Sequence, residues 1–159
     1  VPDAAELTRV LRAAGLRVTR PRLAVLDAVH AQPHADTETV IVAARAGVGA
    51  VSHQAVYDVL RTLTDAGLVR RIQPQGSVAR YEARVGDDHH HLVCRSCGTI
   101  SDVDGAIQET PCLGPPGGTG FLVDSAEVFY WGRCRSCATT PPTTPVPDRN
   151  APERGTQWQ

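Results

Sequence analysis

Apolar residues recur at helical spacing through the first third of the chain. Leu7, Val10 and Leu11 share one face of a segment from Asp3 to Ala14, with Gly15 as its stop. Thr19 is a good N-cap for a second helix, with Pro21 in its first turn and Leu23, Val25, Leu26 and Val29 apolar. Pro33 ends it. Asp36 caps a third helix that turns Val40, Ile41 and Ala44 inward. Ser52 caps a fourth, in which Val56, Val59, Leu60 and Leu63 follow i, i+3, i+4, i+7 and Gly67 supplies the C-terminal glycine. The period then drops to two. Residues 68–73 and 78–83 predict strands around the turn Pro74-Gln75-Gly76-Ser77. Three helices, a fourth with a polar outer face and a hairpin outline a winged helix-turn-helix.

Beyond the hinge-like turn Gly86-Asp87-Asp88, residues 89–93 predict a strand and residues 99–103 its return. A short helix is expected over 104–110, a Pro/Gly-rich loop over 111–120, and strands over 121–123 and 127–131. From Ala138 the chain is Pro/Thr-rich and aperiodic, which predicts disorder. The fold class expected is α+β. Its predicted organisation is a DNA-binding domain over 1–84, a hinge over 85–88, a dimerisation and metal-binding domain over 89–137 and a tail over 138–159.

Charge sharpens this division. Residues 1–81 carry 10 Arg and 7 acidic residues, while residues 82–159 carry 6 Arg and 10 acidic ones. A basic front and an acidic back fit a nucleic-acid module joined to a metal-binding one. No apolar run reaches membrane-spanning length and no signal-peptide pattern opens the chain, so a cytoplasmic, reducing compartment is expected.

In such a compartment paired cysteines read as metal ligands. Cys94 and Cys97 form one C-x-x-C, and Cys134 and Cys137 another. Four thiolates close a tetrahedral shell, which predicts a structural Zn2+ site. The rival reading is a pair of redox-active thiols. Cys112, without a C-x-x-C partner, reads as a small loop or buried thiol. Just upstream, His89 and His91 face one side of their strand and His90 the other. Glu82 ends the wing strand, His34 precedes the third helix, and Asp102 lies on the return strand. A mixed shell of imidazoles and carboxylates suits Fe2+, Mn2+ or Zn2+ without deciding among them. On the fourth helix, Gln54, Tyr57 and Arg61 point outward and can meet base edges or phosphates. Arg17, Arg20 and Arg70, with Arg22, Arg71 and Arg80, are candidate phosphate contacts.

Taken jointly, these pieces resemble the ferric uptake regulator family. The matching text is Ser52-His53-Gln54-Ala55-Val56-Tyr57-Asp58-Val59-Leu60, Asp65-Ala66-Gly67-Leu68-Val69, Tyr81-Glu82, His89-His90-His91-Leu92-Val93-Cys94 with Cys97-Gly98, and Tyr130-Trp131-Gly132. The resemblance implies an N-terminal winged helix, a C-terminal α/β dimerisation domain, and a homodimeric metal-dependent repressor of inverted-repeat operators in double-stranded DNA. It matches the four cysteines to structural zinc ligands. It matches His34, Glu82, His89 and His91 to a sensor site, and Asp102 to a ligand of the peroxide-sensing branch. The stretch from His89 to Gly98, with Ala126-Glu127-Val128, looks most like the branch controlling catalase-peroxidase. Asp58 stands where the family often carries Arg, and Ala126 where other members place a further His. The rivals are a metal-uptake repressor of the same fold, a metalloenzyme, and a zinc-bearing interaction module. A metalloenzyme lacks support, since no nucleophile motif appears.

Overall fold

The structure, a computed structural model, describes residues 1–87, 89–104, 120–121 and 127–139. Four helices open the chain: α1 (Ala4–Ala13), α2 (Arg20–Ala31), α3 (Thr37–Val48) and α4 (His53–Asp65). Each starts where the sequence supplies a side-chain acceptor for its orphan amides. Asp3 accepts from the Glu6 N–H at 2.8 Å, Asp36 from Thr39 at 2.8 Å, and Ser52 from Ala55 at 3.1 Å. Thr19 caps α2 more loosely, at 3.4 Å from the Arg22 amide. The expected stripes turn inward. Leu7, Leu11, Val25, Leu26, Val29, Val40, Ile41, Ala44, Val56, Val59, Leu60 and Leu63 all belong to one buried cluster.

The wing is built from β2 (Arg70–Ile72) and β3 (Arg80–Glu82), antiparallel, with Arg70 opposite Glu82. A strand that the periodicity did not announce completes the sheet. The two-residue β1 (Ala35–Asp36) pairs with β3, Ala35 opposite Tyr81, giving the order β1-β3-β2. Two residues are too few to display alternation, and their pairing depends on a distant partner.

The second sheet has the order β5-β4-β6, from β4 (His89–Cys94), β5 (Ile100–Asp104) and β6 (Phe129–Gly132). β4 and β5 are antiparallel, with His91 opposite Asp102. β4 and β6 run parallel, with Cys94 opposite Gly132. A four-residue helix, α5 (Arg135–Ala138), follows, so helix reaches the first residue of the expected tail. Asp104 ends β5 rather than starting a helix, and Phe121 lies outside any strand. The remaining expectations for 105–119, 122–123 and 140–159, Cys112 included, fall outside the described residues. Helices packed over a small antiparallel sheet, followed by a second mixed sheet, make the α+β class expected from the pattern.

Candidate functional site

Two groups of metal-capable side chains converge among the described residues. The first is sulfur only. Cys94 closes β4 and Cys134 precedes α5, and the β4–β6 pairing brings the two knuckles side by side. The Gly98 N–H returns to the Cys94 carbonyl at 2.9 Å, with Gly98 at φ +73°, so a left-handed residue closes the first knuckle. Cys97 Sγ and Cys134 Sγ stand 3.7 Å apart. A tetrahedron with metal–sulfur bonds of about 2.3 Å has edges of roughly 3.8 Å, so this spacing fits zinc. Donation from the Cys134 backbone N–H, 3.3 Å from Cys94 Sγ, is the chief cause holding the Cys94 thiol down at about 5. Hydrogen bonding with Cys134 and then Cys97 pushes Cys137 up to about 12. A zinc ion would take the four sulfurs as thiolates and displace the protons they still carry.

The second group joins His34, Glu82, His91 and Asp102, whose donor atoms all lie within 4.8 Å of one another. Four different segments deliver them. The β1–β3 pairing swings His34 over the end of β3, and His34 takes φ +62° to get there. A non-glycine residue in the left-handed region is strained, and such strain concentrates at functional sites. His34 Nε2 lies 3.0 Å from Glu82 Oε2 and 2.8 Å from Asp102 Oδ1. His91 Nε2 lies 3.1 Å from the same Glu82 oxygen. Two imidazoles thus aim the same nitrogen at one lone-pair oxygen. Asp102 Oδ1 is buried and lacks a well-aligned hydrogen bond despite its short approach to His34. A divalent ion would satisfy both features, and two imidazoles with two carboxylates suit a first-row metal.

His89 stands beside this group rather than within it. Its Nε2 lies 3.1 Å from Glu82 Oε1 and its Nδ1 lies 2.9 Å from Asp87 Oδ1. Glu82 is the hub, with a side chain only 1% exposed. Burial would push its carboxyl up. Hydrogen bonds from His34 and His91, then the charges of His91 and His89, outweigh that and hold it at about 2. Burial likewise pulls His34 down, but Glu82 and Asp102 raise it on balance.

The outer face of α4 presents Gln54, Tyr57 and Arg61 to solvent, with Tyr57 48% exposed. These three line a cleft with Arg71 and Tyr81 of the wing. Asp58 occupies the middle of that face. Its Oδ1 accepts from Gln54 Nε2 at 3.1 Å and from Arg61 Nη2 at 3.4 Å. Arg17 and Arg20 are exposed near the start of α2. Arg70 is not an outward residue. The register puts it across from Glu82, half-buried, with Nη1 3.7 Å from Glu82 Oε1. Arg80 also turns inward, its Nη1 donating to the His34 carbonyl at 3.3 Å. Neighbours along β2 and β3 alternate faces, so Arg71 takes the outer side that Arg70 leaves. Arg84 went unremarked in the sequence. It donates to Asp87 Oδ2 and Asp104 Oδ1, each at 2.6 Å. The i, i+3 spacing from Arg84 to Asp87 was its one local signal.

Comparison with known proteins finds relatives of this sequence and fold. Residues 13–112 match the model of the ferric uptake regulator family. The chain is 64% identical over 138 residues to the transcriptional regulator FurA of Mycobacterium tuberculosis, covering 87% of this chain and 92% of that one. It is 62% identical over 129 residues to ferric uptake regulation protein 1 of Mycolicibacterium fortuitum, covering 81% and 80%. Among solved structures, the ferric uptake regulator of Pseudomonas aeruginosa with manganese superposes with a TM-score of 0.65 at 30% identity, covering 81% of this chain and 98% of that one. Among the described residues, no helix is long and apolar enough to cross a membrane.

Proposed function

The chain belongs to the ferric uptake regulator family, and on that premise we propose that it is an iron- and peroxide-responsive homodimeric repressor of inverted-repeat operators. The coarser part of this, a metal-responsive DNA-binding transcriptional regulator, comes with the family. The observation that carries the finer reading is the convergence of His34 and Asp102 on the buried pair Glu82 and His91. It draws on the segment before α3, the wing strand and two strands of the second sheet.

In this reading Cys94, Cys97, Cys134 and Cys137 hold structural zinc. His34, Glu82, His91 and Asp102, with His89 beside them, hold the regulatory ion. Residues 1–84 act as the DNA-binding domain, 85–88 as the hinge and 89–137 as the dimerisation domain. Gln54, Tyr57 and Arg61 meet the major groove, while Arg17 and Arg20 reach phosphates. Residues from both sides of the hinge share one ligand set, so occupancy favours one relative orientation of the two modules. A ligand shifts such an equilibrium only by its differential affinity, and a change from 1:99 to 99:1 takes about 5.5 kcal/mol. Iron(II), the ion that would confer a peroxide response, supplies one-electron redox chemistry when bound. The oxygen-rich donor set with two imidazoles supports iron(II) or manganese(II) over a purely sulfur-loving metal. The names of the relatives, transcriptional regulators, support a regulator over an enzyme.

The test is a gel shift on an inverted-repeat duplex with Fe(II), Mn(II) or Zn(II) added to zinc-loaded protein, with and without peroxide. Metal-dependent binding is expected, with peroxide releasing DNA only from the Fe(II) form. Alanine at Glu82 should abolish the metal-dependent binding, and alanine at His89 should abolish release by peroxide. Release unchanged in both variants would rule out this cluster as the sensor.

A further inference from the structure

Each carboxylate of the His34/Glu82/His91/Asp102 group is shared. One oxygen faces the imidazoles of the group and the other lies near an arginine, with His89 Nε2 also 3.1 Å from that oxygen of Glu82. Glu82 Oε2 lies 3.0 Å from His34 Nε2, while its Oε1 lies 3.7 Å from Arg70 Nη1. Asp102 Oδ1 lies 2.8 Å from His34 Nε2, while its Oδ2 lies 3.7 Å from Arg84 Nη1. A third guanidinium, Arg80, donates to the His34 carbonyl at 3.3 Å. These placements are built into the fold. Arg70 is the cross-strand partner of Glu82 in the β2–β3 register, so both side chains stand on one face of the wing. Arg84 is held by Asp87 and by Asp104, the last residue of β5.

Each ligand carboxylate lies beside a permanent cation, Glu82 beside Arg70 and Asp102 beside Arg84, which Asp87 and Asp104 also hold. An arriving dication meets a guanidinium behind each of its two anionic ligands. A guanidinium does not deprotonate in proteins, so its charge cannot be shed. In a poorly solvated site like charges a few ångströms apart repel strongly. The geometry points to Arg70 and Arg84 as affinity-setting residues. They weaken divalent-ion binding at this centre, so that it fills only when the ion is abundant. The inference rests on the regulatory-site reading above and concerns the threshold of that same site. A purely architectural role predicts the opposite sign, because releasing a ligand carboxylate from its support would loosen ion binding.

The experiment is Mn(II) titration of the full-length, zinc-loaded protein, with free Mn(II) followed by electron paramagnetic resonance. His91→Ala first identifies the site: its loss of a Mn(II)-binding event ties that event to this cluster. Arg70→Gln is then expected to tighten that event by about tenfold, and Arg84→Gln by about threefold to tenfold. Arg70→Lys, which keeps the charge, should stay within about twofold of the unsubstituted protein. Zinc content and thermal melting report whether each variant folds. If Arg70→Gln does not fold, Arg84→Gln decides by the same criterion. Unchanged or weaker binding in the folded glutamine variant overturns the inference while the site stands. If His91→Ala binds Mn(II) as before, the site itself falls and the inference with it.

Discussion

The two metal-capable clusters differ in how the chain assembles them. The four cysteines come as two short-range pairs at the ends of adjoining strands of one sheet, and their sulfurs form a closed set. The His34/Glu82/His91/Asp102 group is gathered from four segments belonging to both sheets, and a single carboxylate, Glu82, bonds three imidazoles. The first can therefore staple the second sheet by itself. The second needs residues of both sheets together. A closed, local, all-thiolate shell suits permanence. A distributed shell of imidazoles and carboxylates suits an ion that comes and goes.

The contrast can be broken most sharply at the cysteines. Cys134→Ser should release zinc and cost about 5 kcal/mol or more of stability in the second module. Metal analysis and thermal melting check this, and a variant that still carries its zinc with an unchanged melting temperature would remove the staple. Next in size, Glu82→Ala should weaken the regulatory ion by about 100-fold or more while leaving zinc in place, as measured by metal titration. Simultaneous loss of both metals would mean that the clusters are one cooperative unit.

A smaller effect follows from protons. Glu82 sits at about 2, below its ordinary 4.5, so its contribution to the closed centre is present above pH 4.5 and lost as pH falls toward 2. His34 is raised above its ordinary 6.5, so its contribution is complete below pH 6.5 and lost as pH climbs past the raised value. In protein carrying zinc alone, the joint contribution of Glu82 and His34 to the melting temperature should be greatest between pH 4.5 and 6.5. His34→Ala should flatten the alkaline side of that profile, and an unaltered profile would remove His34 from the network. The smallest change lies away from both clusters. Asp58→Asn removes a negative charge from the outer face of α4 and loosens its hold on Gln54 and Arg61. DNA should bind about threefold to tenfold tighter, with both metal contents unchanged, in a salt-resolved gel shift. Weaker binding would mean that Asp58 serves to pre-orient those side chains.

Helix starts were legible because capping is local: Thr19, Asp36 and Ser52 each lie within three residues of the amide they satisfy. The core stripes were legible for the same reason. The inward turn of Arg70 was not legible because strand alternation gives two faces without saying which one meets solvent. That choice came from its register with Glu82. β1 was invisible because two residues carry no period.

The sequence by itself determined the helical stripes and caps, the doubled C-x-x-C, and the sharing of one strand face by His89 and His91. All of these depend on neighbours a few residues apart. Tertiary structure alone decided that His34 meets Glu82, that Asp102 lies opposite His91, and that Arg70 and Arg84 turn toward the carboxylates. Those partners are separated by anything from eleven to forty-eight positions. Only the pairing of strands, driven by burial and backbone hydrogen bonding, brings them within reach.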